Sequence, residues 1–349
     1  MVSRRLLALV LAAAMVGLGR AAAPVATGDT PPAARTRVRL PVQDEITIAV
    51  TDSGLGGLSI MAEIAARAKQ DRVARRVHLV FFNALFSNDS GYNSLRSRAE
   101  KLRVFDRALR SLEQTVRPDV IVIGCNTLSV IYPGTEFARS SRLPVAEIIG
   151  TGVELFLREL RRQPAARLVL FGTDTTIGEE SHRKALLAAG IPGDRIMGRA
   201  CGELAGYIEK NWQGDETALL VSSFVGEAAV ALPAPKAPVF AGLVCTHYGY
   251  AAEAWQSAFK EQGQPLAGVL NPNQALAAEL FEGAVIGRVP ECVADARVIS
   301  MVEISAEKRS SLGTWLGRVS PEVAAALAKY EWRPDLFEWQ SLVGPQGKP

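Results

Sequence analysis

Histidine is scarce in this 349-residue chain, which has three: His78, His182 and His247. The four cysteines (Cys125, Cys201, Cys245 and Cys292) lie far apart, with no C-x-x-C pair among them. A zinc-finger-type cluster is therefore excluded, and a multi-histidine metal site is disfavoured. A surplus of one charge is missing as well. The 39 basic and 36 acidic residues leave a net charge of +3, without the concentrated basic face of a nucleic-acid-binding protein. Nor does any apolar run reach the roughly 20 residues of a comfortable membrane span.

What is present is ordinary globular material. Hydrophobic residues make up 48% and charged ones 21%, enough for ample core, and the length suggests two domains or one with appendages. The start, "MVSRRLLALVLAAAMVGLGRAAAP", has Arg4 and Arg5, a short apolar middle and a small-residue end. Those are the three parts of a secretory signal peptide. We expect residues 1–21 to be a cleaved leader and the protein to be exported, to the periplasm; an uncleaved anchor or a cytoplasmic protein is the alternative. Residues 22–43, rich in Pro, Ala and Thr, read as a flexible lead-in.

From residue 45 short apolar runs alternate with helical patterns. Strands are expected at 45–50, 77–82, 119–124, 143–149, 166–172, 237–244 and 298–304. Helices are expected at 57–70, 96–114, 127–139, 152–162, 179–190, 249–262, 273–286, 306–317 and 320–330. The alternation predicts an α/β fold of parallel sheets covered by helices. The halves repeat each other. One strand runs into Asp52 and a later one into Cys125; one runs toward Asp174 and a later one into Cys245, steps of 73 and 71 residues. A duplicated unit follows, with domains over 44–143 and 144–265, a return to the first over 266–318, and a C-terminal extension over 319–349. Ligands of parallel sheets bind beyond the carboxyl ends of the strands, so two such domains place both thiols on one cleft.

Each thiol leads a polar pair, Asn126-Thr127 or Thr246-His247. Three readings of the two cysteines stand: buried structural thiols, a disulfide favoured by export, or a thiolate and a thiol in acid–base chemistry. In the third, Asp52 or His247 takes up or relays a proton so that the neighbouring sulfur is ready to act. One sulfur removes a proton from a carbon and the other returns one to its opposite face, with no metal or cofactor.

The motifs "TDSGLGGLSI", "GCNTLSV" and "VCTHYGY", in that order, resemble those of the cofactor-independent glutamate racemases of the aspartate/glutamate racemase superfamily, over about residues 45–318. The resemblance implies two similar domains with the active site between them. It implies Cys125 and Cys245 as the catalytic acid/base pair, with Asp52 assisting the first and His247 the second. It implies Ser53, Asn126, Thr127 and Thr246 as substrate contacts, joined by Thr173 and Thr176 of "GTDTTIG". Glu209 in "CGELAGYIEK" matches a glutamate near the histidine. Gly54, Gly56 and Gly57 are expected to let the backbone turn tightly and leave N–H groups free for a carboxylate.

Departures lie around substrate recognition. "SNDSGYNSL" keeps Tyr92 as a substrate contact but puts Asn93 where the family has glycine; Gly249-Tyr250 replaces Pro-Leu; "GTGVE" replaces a Glu/Lys-Pro-Gly. The implied partner is a small acidic amino acid, glutamate first and aspartate or a related compound second. A homodimer is compatible. An exported binding protein on the same scaffold, its thiols oxidised or idle, is the non-enzymatic alternative. Cys201 and Cys292 read as structural, and His78 as a sheet histidine. His182 reads as either supporting or exposed, and Trp332 and Trp339 as packing the tail.

Overall fold

The computed structural model describes residues 37–232 and 237–344; the expected leader and most of the lead-in lie outside them. The described residues belong to one compact unit, Pro32–Pro349. Its strands are β1 (Glu45–Asp52), β2 (Arg76–Asn83), β3 (Val120–Ile123), β4 (Val145–Glu147), β5 (Arg167–Gly172), β6 (Ile196–Ala200), β7 (Val239–Val244), β8 (Leu266–Leu270), β9 (Val293–Ser300) and β10 (Glu331–Trp332). β1, β3 and β7 are buried along nearly their whole length, as parallel strands covered on both faces must be. Every pairing is parallel. One sheet runs β10-β9-β2-β1-β3-β4 and the other β6-β5-β7-β8. The order β2-β1-β3-β4 therefore recurs in the second sheet, which is the expected duplication.

Helices follow the strands. The first half carries α1 (Leu58–Asp71), α2 (Arg98–Val116), α3 (Asn126–Ile131), α4 (Glu136–Ser140) and α5 (Ile148–Arg162). The second carries α6 (Asp174–Glu179), α7 (Ser181–Ala188), α8 (Leu204–Asn211), α9 (Asp215–Ala231), α10 (Ala252–Glu261) and α11 (Pro272–Glu279). The returning chain adds α12 (Ala306–Leu316) and α13 (Pro321–Ala328). A continuous core joins the sheets, from Ile48 and Val50 on β1 to Val169 and Phe171 on β5.

Several expected boundaries are corrected. The helix expected at 127–139 is two pieces, α3 and α4, parted around Pro133, which has no N–H to donate to a helical ladder. The strand expected over 143–149 stops at Glu147. That carboxylate accepts from Ile149 N (2.6 Å) and Gly150 N (3.2 Å), which turns the following isoleucines into the first turn of α5. β4 pairs in the first sheet and β8 in the second, so the crossings between sheets fall slightly later than residues 143 and 265. Within the expected C-terminal extension, α13 packs on β9 and β10 extends the first sheet. The Trp339 ring lies tilted against Phe86, centroids 4.7 Å apart, while Trp332 is 56% exposed, pairs with Ser300 in the sheet and donates its indole N–H to Met301 O.

β6, β8, β10, α6, α8 and α9 went unread in the sequence. α9, DETALLVSSFVGEAAVA, is apolar around most of its circumference and exposes Leu219 and Val230, so it lacks the stripe that marks an amphipathic helix. His78 lies within 3.3 Å of Asp295 and 3.7 Å of Glu45, so carboxylates face it. Among the described residues no helix is long and apolar enough to cross a membrane.

Candidate active site

Four equivalent strand ends build the site. β1 closes on Asp52 and Ser53, and β3 hands over through Gly124 to Cys125 at the start of α3. In the second sheet β5 gives way to Thr173, which caps α6, and β7 to Cys245. Cys125 and Cys245 line the same cleft of about 520 Å³, within the usual size of a small-molecule site. Both are free thiols.

On the first wall the hydroxyl of Ser53 is 3.1 Å from Cys125 Sγ. The direct partner of the thiol is therefore the expected substrate contact, Ser53. Asp52, expected to assist Cys125, instead accepts a hydrogen bond from Thr246 Oγ1 at 2.7 Å, from the opposite sheet. Its Oδ1 is buried without a hydrogen-bond partner among the described residues. Asp52 still acts on Cys125 through its charge: burial first, then Asp52, pushes the thiol well above its usual range, against the Ser53 hydrogen bond.

On the second wall His247 Nδ1 lies 3.7 Å from Cys245 Sγ, and its Nε2 is 2.8 Å from Glu209 Oε1. Burial opposes charge on the ring. The hydrogen bonds and charges of Cys245 and Glu209 outweigh it and hold the imidazole well above its usual pKa. Glu209 is pushed up by burial but pulled further down by His247 and Lys308, to about 2. Its Oε1 also accepts from Leu55 N (2.9 Å) in the loop after β1, and its Oε2 lies 2.7 Å from Lys308 Nζ. An imidazolium beside a thiol favours the thiolate.

Between the walls Asn126 is 2% exposed, and neither its Oδ1 nor its Nδ2 has a partner among the described residues. Buried amides are ordinarily satisfied, so this one is built to meet something in the cleft. Thr127 Oγ1 is 2.8 Å from Thr173 Oγ1 and 3.4 Å from Thr176 Oγ1. Ser53, Asn93, Asn126, Thr127, Thr173 and Thr246 all line the cleft, whereas Tyr92 and Thr176 do not. Thr176 braces Thr173 at 3.0 Å. Tyr92 is packed edge-on between Phe86 and Phe105, its buried hydroxyl without a partner among the described residues. Asn93 Oδ1 accepts from Thr175 N at 3.4 Å, so the residue replacing glycine reaches across to the second sheet's α6.

The glycine motif works by closeness and not by an unusual backbone, since none of its three glycines has a positive φ. A Cβ on Gly56 would lie 2.2 Å from Thr246 Oγ1 and 2.7 Å from His247 Nδ1. Gly249 meets the same limit, 2.2 Å from Asn271 Nδ2. The neighbouring Tyr250 donates its hydroxyl to Leu55 O at 3.3 Å, so this departure from the family pattern ties the two sheets together.

His182 is buried beside Phe156, its Nε2 without a partner among the described residues, and burial lowers its pKa to about 3. Cys201 and Cys292 are also buried. The sequence reading missed Lys308, Tyr207 and Lys210, which line the cleft as well. Tyr207 and Lys210 share the α8 face of Gly206, a signal visible once α8 is recognised; Lys308 comes from the returning chain, where no local pattern marks it. Among the described residues no group of three or more His, Cys, Asp or Glu could hold a metal ion.

No family model matches the chain. It is 28% identical over 268 residues to the glutamate racemase of Paracoccus denitrificans, covering 72% of this chain and 89% of that one. It is 23% identical over 146 residues to the glutamate racemase of Chlorobaculum tepidum, covering 42% of this chain and about half (48%) of that protein. The fold matches the crystal structure of a glutamate racemase from Francisella tularensis in complex with D-glutamate, with a TM-score of 0.61 at 18% identity, over 85% of this chain and 99% of that one.

Proposed function

We infer that this chain, related in sequence and in fold to the glutamate racemases of the aspartate/glutamate racemase superfamily, interconverts L- and D-glutamate. The observation that carries the reading is a pair of free thiols at equivalent strand ends, lining one cleft from two sheets. One sulfur, as thiolate, takes the α-proton and leaves a planar carbanion. The other, as thiol, delivers its proton to the opposite face. The two sulfurs thereby exchange protonation states, and the reverse reaction or exchange with solvent restores them.

By the family precedent, Cys125 deprotonates the D form and Cys245 the L form. His247 passes a proton to and from Cys245, and Glu209 orients the ring. Ser53 tunes Cys125 by its hydrogen bond and Asp52 by its charge. The unpartnered amide of Asn126 meets the substrate's amino and carboxylate groups, beside Thr127, Thr173 and Thr246. The reaction supplies or recycles D-glutamate, a peptidoglycan component. With the leader expected from the sequence, we propose export, so that the reaction acts on free amino acids outside the cytoplasmic membrane.

Aspartate or a related acidic compound is the alternative substrate, because Asn93, which stands at the cleft where the resemblance implies a glycine, is tied to Thr175 N of α6. In D₂O, L-glutamate is expected to exchange its α-proton and lose optical activity, followed by NMR and circular dichroism. Cys125→Ala and Cys245→Ala should each abolish racemisation while leaving the fold intact. Full activity in both variants overturns the mechanism, and faster turnover of aspartate shifts the substrate.

A further inference from the structure

Lys308 sits in the first turn of α12, just after the Ser305 cap. A cation there opposes the positive end of the helix dipole, so local helix chemistry does not account for it. Its ammonium instead reaches Glu209 Oε2 at 2.7 Å, with a side chain 26% exposed against 8% for the glutamate. Glu209 has two carboxylate oxygens and three partners. Oε1 receives His247 Nε2 and Leu55 N, and Oε2 receives Lys308. With only Oε1 held, the carboxylate can still swing about that oxygen; the ammonium on Oε2 restrains the swing.

We propose that Lys308 is a positioning residue for the Cys245 side of the reaction: its ammonium fixes Glu209 in the orientation that holds His247 against the thiol. It also takes a share of the carboxylate's charge, so Glu209 grips the imidazole proton firmly enough to orient it and loosely enough to release it. The charged and titratable groups around His247 are Cys245 after β7, Glu209 on α8 and Lys308 behind it. Asp52 faces from the end of β1 through Thr246, and Tyr250 lies over the Leu55 loop. Lys210 also lines the cleft, but Lys308 is the cation in contact with Glu209.

The kinetic part of this proposal rests on the racemase reading; the titration part does not. With three histidines in the chain, the His247 ring is assignable by NMR on the free, full-length protein. In Lys308→Met the whole carboxylate charge falls on His247, so the imidazolium persists to higher pH and its titration moves up by about one unit. Turnover, kcat, drops about tenfold with KM little changed, and the pH profile moves with the ring. Lys308→Arg keeps both near the parent values, and Lys308→Gln repeats the methionine result should that variant fold poorly. An unchanged His247 titration in both neutral variants, or an arginine variant as impaired as they are, overturns the proposal. A parent protein that racemises nothing, yet shows the shift, sinks the functional reading and leaves the Lys308 assignment standing.

Discussion

The two sulfurs carry different escorts. Cys125 has a hydroxyl at 3.1 Å and a buried carboxylate whose charge opposes the thiolate. Cys245 has an imidazole backed by a carboxylate and an ammonium. Between them, Asn126 offers an amide whose oxygen and nitrogen have no partner among the described residues. A bond from such a group to a charged ligand contributes about 1.5–3 kcal/mol, so Asn126→Ala is expected to raise KM roughly ten- to hundredfold. Its melting temperature should stay near the parent value, because no bond within the protein is lost. A lowered Tm with unchanged KM would make Asn126 a structural residue. The motifs named this amide, both thiols and the His247 beside Cys245, but not the reach of the two carboxylates. Asp52 reaches Thr246, and Glu209 reaches Leu55 and Lys308, over separations no local motif encodes.

At the scale of elements, legibility followed periodicity. Strands buried on both faces announced themselves as short β-branched runs, and α2 as a helical stretch; the structure adds the reciprocal box of its Ser97 and Glu100. What escaped was chemistry in place of pattern: a proline that split α3 from α4, and a glutamate cap that converted strand into helix at residue 148. α9 escaped because it is apolar nearly all round. The loop between β1 and α1 was read as glycine-rich for a tight turn; it is glycine-rich because the second sheet's Thr246 and His247 press against it. Gly56→Ala is accordingly expected to push these elements apart, with a loss of about 1–3 kcal/mol of stability. A shift of that kind at a reacting centre costs on the order of a hundredfold in kcat. Chemical denaturation and steady-state kinetics check both, and an alanine variant with parental values would remove the close-approach argument.

For the whole molecule, Glu209 is a joint as well as a site residue, since it binds His247 on its own sheet's side and Leu55 N on the other. Its pKa of about 2, below the ordinary 4.5, means that it contributes stability present above about pH 4.5 and lost as pH falls through 2. His247, raised well above 6.5, contributes stability present below 6.5 and lost as pH rises through its raised value. Urea midpoints across pH should therefore be highest, from this pair, between about 4.5 and 6.5, and Glu209→Gln should flatten both limbs. Identical pH dependence in the variant would show that the pair does not report on folding.

The repeated strand order, β2-β1-β3-β4 and β6-β5-β7-β8, bears on what the proposed racemisation requires. Mirror-image molecules present their α-hydrogens to opposite directions, and a protein made of L-residues has no mirror of its own. A twofold-like repeat is the nearest operation available to it, carrying one sulfur to where its twin must stand. The unlike escorts then break that likeness. With an equilibrium constant of unity between enantiomers, they cannot favour either product; they can only make one direction saturate at a different concentration and turn over at a different ceiling than the other.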